Sequence, residues 1–248
     1  MNAIYVLWVR QLKRYVRSRA RIVASLGQPM LFLLALGFGF GPIFRRAGQG
    51  SYIQFLAPGV IAMTILFAAI FSGIELIWDR QFGFLKETLI APVPRIAIML
   101  GRTLGGATVA FVQGLIVLVI CLIAGFRFHG IAAVPAAFAF MILIAFMFTA
   151  LGTGIASVMS DFQGFQLVMN FLVMPIFFLS GALFPLSNLP KILDVLASID
   201  PLSYGVDGMR GSLIGLAHFG MTVDIAVLLI VTAIFLSAGT YLFSRIQL

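Results

Sequence analysis

The sequence contains six segments of 20 or more residues that carry no Asp, Glu, Lys or Arg. A run of about 20 apolar residues is long enough to cross a bilayer as a helix, whereas a spanning strand needs only about 10 residues of alternating polarity. Backbone groups in lipid must also bond within their own segment, as in a helix. The sequence therefore predicts an all-α polytopic membrane protein, one domain over residues 1–248. After trimming for turns, the predicted spans are 24–44, 53–77, 98–125, 132–158, 164–184 and 223–244.

An even number of spans places both termini on the same side of the membrane. The predicted loops and tails on that side carry 11 Lys and Arg residues, and those on the opposite side carry five. Because cytoplasmic loops are enriched in Lys and Arg, we expect both termini to be cytoplasmic. The formal net charge of +8 is then explained by orientation and gives no indication of nucleic-acid binding. Arg102, near the cytoplasmic end of the third span, is expected to extend towards the lipid headgroups.

Residues 1–21 have the pattern of an amphipathic helix. Apolar residues recur at helical spacing on one face, at Tyr5, Trp8, Leu12 and Tyr15, and arginines occupy another, at Arg10, Arg14, Arg17 and Arg21. We expect this helix to lie in the cytoplasmic interface, with its rings at the acyl boundary and its arginines towards anionic lipids. A solvated basic tail is the alternative.

Two glycines four residues apart begin the third span, at Gly101 and Gly105. Small residues at this spacing allow a second helix to approach closely. The pattern predicts tight helix packing here without identifying the partner.

The connection 185–222, on the outer side, predicts two short helices. Asp200 is placed to cap the second of them, with Pro201 at its first position. A stripe of Leu202, Val206, Met209 and Leu213 marks its apolar face. The pair is predicted to form a re-entrant element or lid, and helices that only seal the bundle are the alternative. Asp207 and Arg210, three residues apart, are placed to form an ion pair.

The chain lacks the motifs of several enzyme classes. No glycine-rich segment is followed by a Gly-Lys pair, so the phosphate-binding loop of many ATPases is absent. His129 and His218 have no neighbouring Cys, His or carboxylate, which predicts no metal site. No serine-nucleophile motif is present. We therefore predict a protein that is not an enzyme and binds no cofactor; an intramembrane enzyme is disfavoured, and an ion-coupled transporter or channel stays open.

Polar residues inside the predicted spans are the candidates for a transport path. Glu75 lies about one turn from the cytoplasmic end of the second span and shares a face with Thr64, Phe67 and Phe71. A carboxylate at this depth should face protein or a water-filled cavity, so this face is predicted to line the path. The alternative is that Glu75 pairs with Arg80 or Arg102. In the fifth span Gln166 and Asn170 form a second polar pair, interpreted either as path or as contact between helices.

The segment DRQFGFLKETLIAPVPR, residues 79–95, is polar and lies between two spans on the cytoplasmic side. A helix over 80–91 would place Phe82, Leu85 and Leu89 on one side and expose Lys86 and Glu87. Such a helix is suited to dock into a groove of a soluble partner. A helix that only lies on the lipid surface is the alternative.

This segment closely resembles the cytoplasmic signature of the type 2 ATP-binding-cassette (ABC) permeases, approximately D-R-E-x-G-x-L-x-x-L-L-V-x-P-x-x-R. The matching positions are Asp79, Arg80, Gly83, Leu85, Leu89, Pro92 and Arg95, with Gln81 in place of the usual glutamate. The outer stretch is also similar to that family, in the pattern Pro201, Leu202, Ser203, Tyr204 and Arg210. The likeness covers essentially the whole chain and is closest to drug-resistance and lipooligosaccharide export permeases.

The resemblance implies a transport subunit in the inner membrane of a prokaryote. Two permease copies would form a homodimer and work with two copies of a separate ATPase subunit, which would bind ATP and Mg. The cargo would be a hydrophobic or amphipathic small molecule, such as a drug or lipid, or alternatively a polysaccharide or lipooligosaccharide. The ATPase contact implied is Arg80, Phe82, Gly83, Leu85, Lys86, Glu87 and Leu89, and the outer gate is Pro201, Tyr204, Asp207 and Arg210.

Overall fold

The computed structural model of the chain describes residues 3–46, 51–130, 133–186 and 190–245. All regular structure in these ranges is helical, which confirms the predicted fold class. The helices in chain order are α1 Ala3–Arg17, α2 Arg19–Arg46, α3 Tyr52–Phe71, α4 Ile74–Gln81, α5 Phe84–Ile90, α6 Arg95–Ile123, α7 Val134–Val158, α8 Phe162–Leu179, α9 Lys191–Ile199, α10 Pro201–Ile214 and α11 Met221–Ser244.

Six helical segments among the described residues are long and apolar enough to cross a membrane. They are Ile22–Phe44, Tyr52–Gln81, Arg95–Ile123, Val134–Val158, Phe162–Leu179 and Met221–Ser244. All six predicted spans are confirmed, with one clear difference in length. The fifth ends at Leu179 rather than near residue 184, because Gly181 has a φ of 70° and turns the chain away from the helix.

The centre of the bundle is formed by α3, α6 and α7. The span that contains α3 is buried over most of its length, whereas α2, α8 and α11 bury few of their side chains. In lipid, apolar side chains gain little by leaving one apolar environment for another, so close packing of backbones contributes more to helix association. Glycines provide that packing here: a Cβ at Gly73 would lie 2.5 Å from the Gly152 carbonyl oxygen, and one at Gly154 would lie 3.0 Å from Gly239 Cα.

The N-terminal helix α1 packs against the protein. A Cβ at Gly101 would lie 3.0 Å from Leu7 Cβ, which confirms that the paired glycines of α6 receive another helix. Trp8 Nε1 donates to Thr108 Oγ1 at 3.0 Å, and Tyr15 is buried. The predicted aromatic face towards lipid is therefore wrong for Tyr15, because α1 uses that side to pack on the bundle.

The outer connection forms two helices, as predicted; its residues 187–189 lie outside the described part of the chain. Asp200 caps α10, since its carboxylate accepts a hydrogen bond from Leu202 N at 2.9 Å. The predicted stripe Leu202, Val206, Met209 and Leu213 is buried. α9 instead exposes Ile192 and Ile199.

We expect Gly152→Ala to lower the thermal stability of the detergent-solubilised protein. The added methyl group would overlap the backbone of Ile70, and overpacking of this kind costs about 1–3 kcal/mol. Gly39→Ala is the matched control, because a Cβ there meets no atom within 4 Å. Equal unfolding midpoints for the two variants would show that α3 and α7 do not approach so closely.

The cap of α10 predicts a dependence of stability on pH. Burial raises the pKa of Asp200 from 3.8 to about 8, so the folded state favours the protonated carboxyl. The protonated Asp200 carboxyl therefore contributes fully to the stability of the folded state below pH 3.8, and this contribution is lost as the pH rises through about 8. Asn caps as well as Asp but has no charge, whereas Ala removes the cap at a cost of about 1 kcal/mol.

Thermal unfolding of Asp200→Asn at pH 6 and pH 9 tests this. From pH 6 to pH 9 we expect the unfolding midpoint of Asp200→Asn to fall less than that of the wild type. We also expect Asp200→Ala to be less stable than Asp200→Asn at both pH values. A wild-type midpoint that rises from pH 6 to pH 9 relative to Asp200→Asn would contradict the assignment.

Candidate functional site

The helix α4 continues the second span and ends in a sharp turn. Gly83 has a φ of 80°, a backbone conformation that side-chain-bearing residues rarely adopt, and α5 begins directly after it. The predicted single helix over 80–91 is therefore wrong, because the chain changes direction at Gly83. Pro92 and Pro94 then separate α5 from α6.

The short helix α5 has one buried and one exposed side. Leu85 is only 1% exposed and belongs to the core, so its predicted position on an outward-facing side is wrong. Leu89 is partly buried. The exposed surface is formed by Phe82, Lys86, Glu87 and Ile90, with Phe82 84% and Ile90 76% exposed. We call these four residues the α4–α5 surface.

A buried carboxylate holds α4 in place. Asp79 accepts two hydrogen bonds from Arg10, at 2.8 and 2.9 Å, and one from Arg102 at 2.7 Å. Its side chain is 3% exposed and that of Arg102 is 5% exposed. The predicted extension of Arg102 to the lipid headgroups is wrong, because Asp79 offers a closer partner inside the protein. Arg10 also stacks over the ring of Phe84, 3.5 Å from its centroid.

Further contacts complete the surroundings of α4, and one of them is a hydrogen bond from Arg14 Nη2 to Asp79 Oδ1 at 3.3 Å. Arg14 Nη1 lies 3.5 Å from Glu75 Oε2, and Gln11 Nε2 donates to the same oxygen at 3.4 Å. Arg80 donates to the carbonyl oxygens of Ser157 and Met159 at 2.5 and 2.7 Å, at the end of α7. Arg10 and Arg14 of α1 thus contact protein carboxylates, whereas the sequence predicted contact with anionic lipid.

A cavity of about 320 Å³ lies next to this network, between α1, α2, α3 and α6. The four residues predicted to share one face all line it, namely Thr64, Phe67, Phe71 and Glu75. Sequence reasoning missed the glutamines that line it from three other helices, Gln11, Gln28 and Gln113. For Gln28 and Gln113 the available signal was an uncharged polar residue inside an apolar run, whereas Gln11 lies among charged residues and gave no such signal.

The second predicted polar pair lies elsewhere. Gln166 and Asn170 are on an exposed side of α8 and do not line this cavity. Within the described chain they face outward, together with the exposed side chains Leu167 and Phe171.

The residues of the predicted outer gate lie on α10, at the opposite end of the bundle. Pro201 begins the helix, and the Tyr204 hydroxyl donates to Ser198 O at 2.7 Å. The predicted pair of Asp207 with Arg210 is wrong for the described residues. Asp207 accepts from the backbone N–H groups of His218 and Phe219 at 2.8 Å, and Arg210 donates to Gly181 O at 3.0 Å.

The bundle of six spans contains a cavity of about 320 Å³, and a buried cluster of Asp79 with Arg10 and Arg102 lies beside it at one end of the bundle. This architecture is typical of a multi-pass membrane transport protein. Residues 2–214 match the sequence model of the ABC-2 type transporter family. The chain therefore belongs to this family, as the signature in residues 79–95 implied.

Similarity to named proteins agrees with membership of the ABC-2 type transporter family. The chain is similar to a putative transport permease ycf38 of Cyanophora paradoxa, with 26% identity over 99% of this chain and 89% of the relative. It is similar to Nodulation protein J of Rhizobium leguminosarum bv. trifolii, with 28% identity over 85% and 78%. The inner membrane transport permease YadH of Escherichia coli is 25% identical over 92% and 89%. These relatives are transport permeases or a nodulation protein, which accords with a transport subunit.

We expect Asp79→Asn to destabilise the protein strongly. The substitution leaves Arg102 buried without a counter-charge, and breaking a buried ion pair costs about 3–5 kcal/mol. Asp161→Asn is the control, because that exposed aspartate caps α8 and Asn caps equally well. Thermal unfolding and limited proteolysis of α1 measure the effect. An Asp79→Asn protein as stable as Asp161→Asn would remove Asp79 from its proposed role in holding α1.

Proposed function

We propose that the chain is the membrane subunit of an ATP-driven exporter and works with a separate ABC ATPase subunit that docks on the α4–α5 surface. The observation that carries this proposal is the exposure of Phe82 and Ile90 beside Lys86 and Glu87. Large apolar groups ringed by charges are typical of a protein interface. ATP and its Mg²⁺ would be bound by the partner, because the sequence has no phosphate-binding loop.

The attachments of α4 and α5 support a mechanical role for this surface. Leu85 and the Arg10–Phe84 contact fix α5 to the bundle, and Asp79 ties α4 to α1 and α6. α4 continues through a short turn into α3, which lines the 320 Å³ cavity. A displacement imposed at the surface would therefore reach the cavity. The ATPase can drive transport only if it contacts this surface differently in its two nucleotide states.

The complex would contain two permease copies and two ATPase copies. Leu31 and Phe38 of α2 and Leu167 and Phe171 of α8 are exposed, so these two helices are among those available to pack against a second copy. We place Gln166 and Asn170 of α8 at or near this contact, where a path between the copies would pass.

The cargo is proposed to be hydrophobic or amphipathic. The cavity combines aromatic side chains such as Phe67 and Phe71 with uncharged polar groups such as Gln28 and Gln113. A largely apolar site with a few polar groups is suited to a drug-like or lipid-like molecule. The protein would lie in the inner membrane of a prokaryotic cell with both termini in the cytoplasm, as the excess of Lys and Arg on that side indicates.

The docking proposal predicts the effect of Ile90→Gln. Co-expressed with its ABC ATPase subunit, this variant should bind that subunit about thirtyfold more weakly, since a central apolar interface residue contributes about 2 kcal/mol. Phe82→Gln should behave in the same way. The matched control is Ile192→Gln, because Ile192 is also 76% exposed but lies on α9 at the opposite end.

Affinity co-purification and ATPase activity of the reconstituted complex measure the outcome. Wild-type binding by both Ile90→Gln and Phe82→Gln would overturn the docking surface. Transport by the purified permease alone, driven by an ion gradient in sealed vesicles, would instead support an ion-coupled transporter and overturn the exporter proposal.

A further inference from the structure

A second cavity, of about 400 Å³, lies at the end of the bundle opposite the chain termini. It is lined by the start of α3, the loop after α8, α10 and the loop that follows α10. Phe44 from the end of α2, Phe55, Leu186 and Ile214 form apolar walls, and Ser203, Asp207 and Arg210 contribute polar groups.

Arg210 is an unusual residue to find in such a cavity. It is 6% exposed, and its guanidinium stacks on Phe55 at 3.9 Å from the ring centroid. Burial lowers the pKa of Arg210 to about 10, so the group stays charged at neutral pH. Nη2 donates to Gly181 O at 3.0 Å, and Nε has no hydrogen-bond partner among the described residues.

A second hydrogen-bond donor in α10 also lacks an acceptor. Ser203 lies two turns before Arg210 on the same side of α10, is fully buried and lines the same cavity. Its hydroxyl has no partner in the described part of the chain. Buried donors without acceptors are costly, so a ligand that supplies oxygen acceptors would remove that cost.

Asp207 does not supply the missing acceptor. It lies on the same side of α10, but both of its carboxylate oxygens accept from the backbone N–H of His218, and one accepts from Phe219. These bonds close the loop after α10. Asp207 therefore places a negative charge near Arg210 but accepts no hydrogen bond from its guanidinium among the described residues.

We infer that this cavity binds the anionic headgroup, phosphate or carboxylate, of an amphipathic molecule. A guanidinium can donate two parallel N–H groups to such an oxyanion, and Arg210 keeps Nε unpaired among the described residues; the unpaired Ser203 hydroxyl is a further donor that lines the same cavity. The aromatic walls accept the first carbons of the apolar chain. A volume of about 400 Å³ is within the range of about 300–1,000 Å³ that ligand pockets occupy. This site is separate from the cavity at the cytoplasmic end and does not depend on ATPase docking.

The test is a binding titration of the full-length protein in an uncharged detergent, followed by native mass spectrometry and thermal unfolding. The probes are hexyl phosphate, inorganic phosphate and hexyl glucoside. We expect saturable binding of hexyl phosphate and none of hexyl glucoside. Binding of inorganic phosphate as tight as that of hexyl phosphate would identify a free anion as the ligand; at least tenfold tighter hexyl phosphate would identify a lipid-like headgroup.

Three substitutions distinguish binding at this cavity from nonspecific electrostatic attraction of anions to the protein. Arg210→Gln should weaken hexyl phosphate binding at least tenfold. Arg127→Gln, an exposed arginine at the same end of the bundle, should leave it unchanged. Ser203→Ala keeps Arg210 and removes only an unpaired hydroxyl, so it should fold and bind several-fold more weakly. No saturable binding to the wild type, or equal binding by wild type, Arg210→Gln and Ser203→Ala, would overturn the inference.

Discussion

The buried carboxylate of Asp79 is the interaction on which the cytoplasmic end of the structure depends. It joins three helices that are distant in sequence, because Arg10 belongs to α1 and Arg102 to α6. Three guanidinium groups, those of Arg10, Arg14 and Arg102, lie at hydrogen-bonding distance of this carboxylate, and they offset the cost of burying it only if all of these groups stay in place. The position of α1 against the bundle, and the direction in which α4 leaves it, are consequences of this single cluster.

Polar groups are concentrated at the two ends of the bundle, and each end uses them differently. At the end that carries the termini, arginines meet carboxylates, and the charges are neutralised within the protein. At the opposite end, Asp207 bonds to backbone N–H groups and Arg210 retains unused donors. The first arrangement stabilises a fixed geometry, whereas the second leaves a capacity to bind something from outside the chain.

The spans could be predicted because lipid gives the backbone no hydrogen-bond partner, so length and absence of charge suffice to identify a helix. The cavity face of α3 and α4 was also predictable, since Thr64, Phe67, Phe71 and Glu75 share one side of a long helix. The burial of Leu85 was not predictable. A seven-residue helix has too few positions for its pattern to reveal which side meets the bundle, and the turn at Gly83 rotated that side away from expectation. The partners of Arg102 and Asp207 likewise depend on distant segments that sequence spacing does not contain.

Arg80 has a consequence for how the molecule can divide into moving parts. Its two bonds to the last carbonyl groups of α7, together with the contact of Gly73 on Gly152, attach α4 to α7 at both ends of its length. α7 in turn packs tightly on α11 through Gly154 and Gly239. These three helices form one block, so a rocking motion that displaces α4 is expected to carry the C-terminal span with it. Among the spans α8 contacts its neighbours least, so a shear surface is expected along this helix.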